Sequence, residues 1–138
     1  MLSFDADIPF VADLGFTLHK RADGESELHY QPRPEHLNSF GVTHGGALMA
    51  LLDVTLAQAA CSREPGMGAL TIEMKTSFMQ PARGALVAKG QLLHLTYGGM
   101  AYAEGAVYDA QGLLCCKASG TFKLKRRTPV NDKAGAKE

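Results

Sequence analysis

The chain has 138 residues, 46% of them hydrophobic and 20% charged, a length that fits one domain and leaves little room for a second. A domain of this size buries roughly 68–70% of its unfolded surface, so it holds a core without metal or disulfide staples. Fourteen Lys+Arg against fourteen Asp+Glu leave zero net charge, which argues against a dedicated nucleic-acid binder.

Residues 4–14 are short and mixed, enough for one or two helical turns. Two strand-like runs follow, Phe16–Arg21 and Glu27–Gln31, around Ala22-Asp23-Gly24-Glu25, and Asp-Gly is a strong hairpin signal. Residues 32–43 read as a loop, because two prolines, Asn38 and Gly41 interrupt any period. From Gly45 to Cys61 the chain is rich in Ala, Leu and Met without proline, which predicts a helix. Its apolar positions 47–52, 54, 56, 57, 59 and 60 point in every direction, so the helix should be enclosed. At roughly 24 Å it is too short to cross a membrane, and no apolar run in the chain reaches ~18 residues. Four strand-like runs come next, at 70–79, 85–95, 100–109 and 113–124. No helix separates them, so their pairing should be antiparallel. The expected architecture is α+β: a curved antiparallel sheet wrapped around one long central helix, within a single domain over residues 1–127.

Charge is unevenly spread. Residues 1–116 hold seven basic and twelve acidic side chains, and residues 117–138 hold seven basic and two acidic. Residues 128–138 read as a disordered basic tail. The tight group Lys123, Lys125, Arg126 and Arg127 could meet an anion. The N-terminus lacks a basic leader pattern. Cys61 stands alone, and Cys115 and Cys116 adjoin without a CxxC pattern, so a reducing, cytoplasmic setting is the expectation.

Asp53 stands out because its helical neighbours are Met49, Ala50, Leu56 and Ala57. A carboxylate stripped of water there either serves proton transfer or is satisfied by a neighbouring hydroxyl or amide. Gly45-Gly46 opens the same helix, where the first N–H groups have no intrahelical partner and could polarise a carbonyl oxygen. His44 precedes the pair and Asn38 lies six residues earlier. Asn38 could donate to a carbonyl and His44 could donate or act as a base; the alternatives are a loop-stabilising Asx turn for Asn38 and a helix-entry histidine for His44. The five histidines show no HExxH spacing, so no metal is expected.

Asn38-x5-His44-Gly45-Gly46-x6-Asp53 resembles the hotdog-fold acyl-CoA thioesterases, and most nearly their phenylacetic-acid-degradation (PaaI-like) branch. The match is HLNSFGVTHGGALMALLD at 36–53 with LTIEMKTSFMQPARG at 70–84, and in element order it extends over roughly 15–125. The resemblance implies Asp53 as base or nucleophile and the Gly45 amide as the donor that polarises the thioester, with Asn38 and His44 assisting. Thr71 would orient the water. It also implies sites shared across a homodimer, commonly doubled to a homotetramer. Coenzyme A would be part of the substrate, and no cofactor would be retained. Many relatives carry a cation after glycine in the loop before the penultimate strand, where it meets coenzyme A phosphates. Here that loop reads Tyr97-Gly98-Gly99-Met100, so Arg83, Lys123 and Arg126, with Gly46, become the candidate substrate-binding residues. The leading expectation is hydrolysis of an acyl- or aryl-acyl-CoA to free acid and CoA. A non-catalytic acyl-CoA binding module and a hotdog hydratase or dehydratase are the alternatives.

Overall fold

The Ala/Leu/Met-rich segment folds as predicted. In a computed structural model that describes residues 1–127, a helix α2 runs over Gly45–Cys61. The expected C-terminal tail, 128–138, lies outside the described residues. A short helix α1 (Pro9–Leu14) precedes the hairpin β1 (Thr17–Ala22) and β2 (Glu25–Tyr30), and α2 is followed by β3 (Met67–Phe78), β4 (Leu86–Leu95), β5 (Met100–Tyr108) and β6 (Leu114–Arg126). These strands form one antiparallel sheet in the order β1-β2-β4-β5-β6-β3. β3 begins three residues before the expected 70, and β6 runs two beyond the expected 124. The hairpin is also tighter than expected. Asp23 and Gly24 both take positive φ (53° and 85°), a two-residue turn whose twist matches the flanking strands.

Leu48, Leu51, Leu52 and Leu56 of α2 are buried against Leu28, Leu86, Val107 and Phe122 of the sheet. The sheet beneath the helix is stripped of side chains where β4 and β5 face each other through Gly90 and Gly105. A Cβ at Gly105 would come within 2.7 Å of the Leu56 Cδ1 and 2.6 Å of the Lys89 carbonyl, and one at Gly90 within 3.0 Å of the Thr55 carbonyl. Beside that contact the buried Ser26 hydroxyl donates to the Thr55 carbonyl at 2.6 Å, and the Thr55 hydroxyl donates to the Leu51 carbonyl at 2.7 Å. Two strongly buried hydroxyls are thereby satisfied, which removes the cost of hiding them from water.

Within one protomer the sheet covers only one side of the all-round apolar helix. Leu48, Leu51, Leu52, Thr55, Leu56, Ala59 and Ala60 face the sheet, but Met49 is 40% exposed, and Asp53 and Ala57 are half-buried. The reason is the sheet's extent, since it covers one side of α2 and ends at β3, which pairs only with β6.

Four strands carry an extra residue where pairing shifts: His19 in β1, Ile72 in β3, Leu93 in β4 and Cys115 in β6. Bulges bend and twist a sheet. The one in β3 also changes which residues face the helix. Ala69 and Thr71 lie opposite Leu124 and Phe122 on the concave face, and beyond the bulge Met74, Thr76 and Phe78 take that face, opposite Gly120, Ala118 and Cys116. Without it, Thr71 and Phe78, seven residues apart, would face opposite ways.

Among the described residues no helix is long and apolar enough to cross a membrane. All three cysteines are reduced and buried. Burial pushes each thiol above its ordinary range, Cys116 to about 12 with Cys115 beside it, so none is a thiolate nucleophile near neutrality.

Two outcomes test this packing. Gly105→Ala should lower unfolding stability by about 1–3 kcal/mol through overpacking, read by urea denaturation. An aromatic disulfide reagent at neutral pH should find no fast-reacting thiol in the native protein and three after denaturation.

Candidate functional site

Loop residues 36–44 are fastened at several points. The Leu37 and Thr43 backbones bridge, the Thr43 N–H donates to the Ala82 carbonyl, and the His44 N–H donates to the carbonyl of buried His36. The His36 Nδ1 sits 2.8 Å from the Tyr30 hydroxyl and accepts from the Arg33 N–H at 3.2 Å. Inside this frame the Asn38 Oδ1 accepts from the Phe40 N–H at 2.8 Å and the Val42 N–H at 3.3 Å. The loop-stabilising role foreseen for Asn38 is therefore real, and it settles the amide's orientation. With Oδ1 consumed by the loop, the Nδ2 donors have no partner among the described residues and remain for a ligand.

His44 caps α2. Its Nδ1 accepts from the Gly46 N–H at 2.9 Å, so a neutral ring carries its proton on Nε2 and presents a donor outward. The Gly46 amide is thus already engaged, whereas the Gly45 N–H at the first helical position has no acceptor among the described residues. Of the two glycines, Gly45 keeps a free donor at the positive end of the helix dipole.

Asp53 lies two turns further along α2. It is half-buried, not enclosed as its neighbours' composition suggested, because it occupies the side of the helix beside edge strand β3. There the Thr71 hydroxyl donates to the Asp53 Oδ1 at 2.6 Å, fixing one carboxylate oxygen and leaving Oδ2 open. The sequence paired these two residues only through resemblance; the bulge at Ile72 that aims Thr71 inward carries no sequence mark.

Gly45 and Asp53 are eight residues apart on one helix, which places them about 12 Å apart along its axis. Donor and carboxylate on the same protomer therefore cannot meet one carbonyl group. The candidate cations also divide. Arg83 follows Ala82, whose carbonyl holds Thr43, at the Asn38–Gly45 end. Lys123 pairs across to Leu70 and donates to the Gly98 carbonyl, and Arg126 pairs with Met67, both at the opposite end of β3. One residue at the Asn38–Gly45 end was not singled out from the sequence: the Phe78 ring lies on the concave face against Gly45. Its aromatic character within the second matching segment was the only available signal.

The larger hollows of the protomer lie elsewhere. One of about 660 Å³ lies beside the β4–β5 turn, lined by Met67, Leu95, Tyr97 and Leu124, and one of about 520 Å³ lies at the N-terminal segment among Phe4, Ile8, Val11 and Phe16. Neither touches Asn38, Gly45 or Asp53. Among the described residues no group of three or more His, Cys, Asp or Glu side chains could hold a metal.

Comparison with known proteins agrees with this fold. The thioesterase superfamily model matches residues 40–116. A Pseudomonas aeruginosa protein assigned as an esterase is 32% identical over 108 residues, covering 75% of this chain and 80% of that one. A Thermoplasma acidophilum protein assigned likewise is 25% identical over 119 residues, covering 85% and 89%. Among solved structures, a variant of the phenylacetic acid degradation protein PaaI from Thermus thermophilus superposes with a TM-score of 0.76 at 27% identity, covering 84% of this chain and 98% of that one. PaaI from Escherichia coli superposes with a TM-score of 0.79 at 20% identity, covering 88% and 86%, a likeness of fold. The six-stranded antiparallel sheet curved over one main helix is the hotdog fold, and this chain belongs to the thioesterase superfamily.

Proposed function

We propose that this enzyme hydrolyses an acyl-CoA, of acyl or aryl-acyl type, at two equivalent sites, each shared between the protomers of a homodimer. The observation that carries the reading is the division of the machinery: a free Gly45 amide with Asn38 and His44 at one end of α2, and the Thr71–Asp53 pair about 12 Å away beside an unpaired edge. Edge strand β3 is twelve residues long, with Leu70 and Ile72 56% and 57% exposed, a surface that invites a second strand. Twofold antiparallel pairing of β3 with its copy lays the Asp53 of the partner subunit near this protomer's Gly45. The same pairing brings Arg126 of the partner subunit toward Arg83, so that two separated cations approach where the phosphates of CoA would lie, while Lys123 stays on the convex face with the Gly98 carbonyl. A homotetramer built from two such dimers keeps every site.

In the shared site the thioester carbonyl oxygen accepts from the Gly45 N–H and the Asn38 amide, donors that strengthen as negative charge develops. The His44 Nε2–H lies beside the oxygen or the sulfur. Asp53, with Oδ1 held by Thr71, uses Oδ2 to take a proton from water or to attack the carbonyl carbon itself. In the base route the water oxygen bonds to that carbon and the C–S bond breaks. The thiolate recovers the proton, and free acid and CoA depart. The reduced, buried cysteines support a cytoplasmic setting for this chemistry.

Asp53→Asn retains an oxygen for the Thr71 hydroxyl but removes the charge. Turnover of an acyl-CoA panel should fall at least ~100-fold, with an unchanged or higher melting temperature. Retained turnover with lost stability would make Asp53 a structural residue. Gly45→Pro deletes the amide donor at a position where proline fits the first helical turn, and should cost roughly 10²–10³ in kcat. Mixing and refolding these two inactive variants in equal amounts tests the shared site. Each heterodimer then has one intact site, so about a quarter of wild-type activity should return. A site confined to one protomer would recover none.

A further inference from the structure

We propose that Phe78 determines specificity, by forming one wall of a slot that admits an acyl group unbranched next to the carbonyl; this rests on the thioesterase reading above. The starting point is a glycine that the fold does not need. Gly45 has no positive φ. A Cβ built there would meet only the Phe78 ring, at 3.5 and 3.6 Å, which is ordinary contact. Gly90 and Gly105 differ, since a Cβ at either collides with backbone or core. Glycine is disfavoured in helices relative to alanine, so a helical glycine free of strain and collision marks space kept for something else. That space is bounded on one side by the free Gly45 N–H and on the other by the Phe78 ring, which is 51% exposed.

A carbonyl held by the Gly45 N–H therefore carries its substituent past the edge of the ring, where Cζ and Cε1 lie nearest. The sulfur substituent of a CoA ester is a polar, amide-bearing chain, the same in every substrate. The apolar ring suits the acyl carbon instead. With glycine opposite, the slot is about one methyl group wider than an alanine would leave it. A straight or planar chain passes, and a branch at the first carbon strikes the ring. Met49, one turn beyond Gly45 and 40% exposed, continues the apolar lining.

The test compares n-butyryl-CoA with isobutyryl-CoA, which differ only in that branch. Wild-type enzyme should favour the straight ester in kcat/KM by roughly 10–200-fold, the range over which one misplaced methyl group discriminates. Phe78→Ala should bring the ratio close to one by raising turnover of the branched ester, with Phe78→Leu intermediate and melting curves confirming folded protein. Gly45→Ala, which keeps the N–H, should narrow the slot and widen the ratio. Equal effects of Phe78→Ala on both esters would place the ring away from the acyl group and overturn the assignment. Should no thioester be hydrolysed, the thioesterase reading fails separately. Calorimetry with carbonyl-bearing thioether analogues of the same two acyl groups then decides the slot alone, a straight-to-branched Kd ratio near one rejecting it.

Discussion

The contact on which the molecule depends is the approach of α2 to the bare strip of sheet at Gly90 and Gly105. Any side chain there would strike the Leu56 methyl group or the Thr55 carbonyl, lifting the helix and opening voids around Leu48, Leu51 and Leu52. Close packing of this kind tolerates little change in volume. It also fixes the rotation of α2. The Ser26 hydroxyl reaches the Thr55 carbonyl only with that face down, and with that face down Asp53 points toward β3 and Gly45 toward Phe78. The site's geometry is set by how closely a helix lies on two glycines remote from the chemistry.

Curvature does the remaining positioning. A flat sheet could not follow the helix from β1 to β3, and extra residues at His19, Ile72, Leu93 and Cys115 supply bends. At Ile72 the bend has a second effect, because it reverses the alternation of side chains along β3. The strand thereby gives both Thr71 and Phe78 to the concave face and turns Glu73, Lys75 and Ser77 toward solvent, with the Thr121 hydroxyl donating to Glu73 at 2.8 Å.

Elements with strong local signals were legible in the sequence. The helical composition of residues 45–61, the Asp-Gly turn and the alternation in the last strand each reflect interactions between near neighbours, and each lies where expected. The bulges were not legible, because a two-to-one pairing depends on the partner strand and leaves no composition of its own. The exposure of Asp53 was misjudged for a related reason. An apolar neighbourhood along the helix implies enclosure only if something covers that side, and within one protomer the sheet stops at β3. The Asn38 and His44 readings posed local capping against ligand contact as alternatives. The geometry shows the local role of each, one polar atom of either side chain holding the backbone, and that role leaves the other polar atom uncommitted among the described residues.

An open site in the protomer also has an energetic logic. Burying a carboxylate during folding carries a desolvation penalty that a single hydroxyl partner offsets only in part. Left beside an uncovered edge, Asp53 keeps one oxygen in water and holds the other on Thr71, so the protomer folds without hiding an unpaired charge. Under the dimer reading, water is removed only when a second copy adds its strand. The penalty then falls on association, where the apolar surface of Leu70 and Ile72 is buried in the same step. Drying the site at that stage strengthens the Gly45 and Asn38 donors toward a developing oxyanion. The 12 Å between donor and carboxylate on one helix is, on this view, the feature that couples activity to assembly: neither half can act until a second protomer supplies the other.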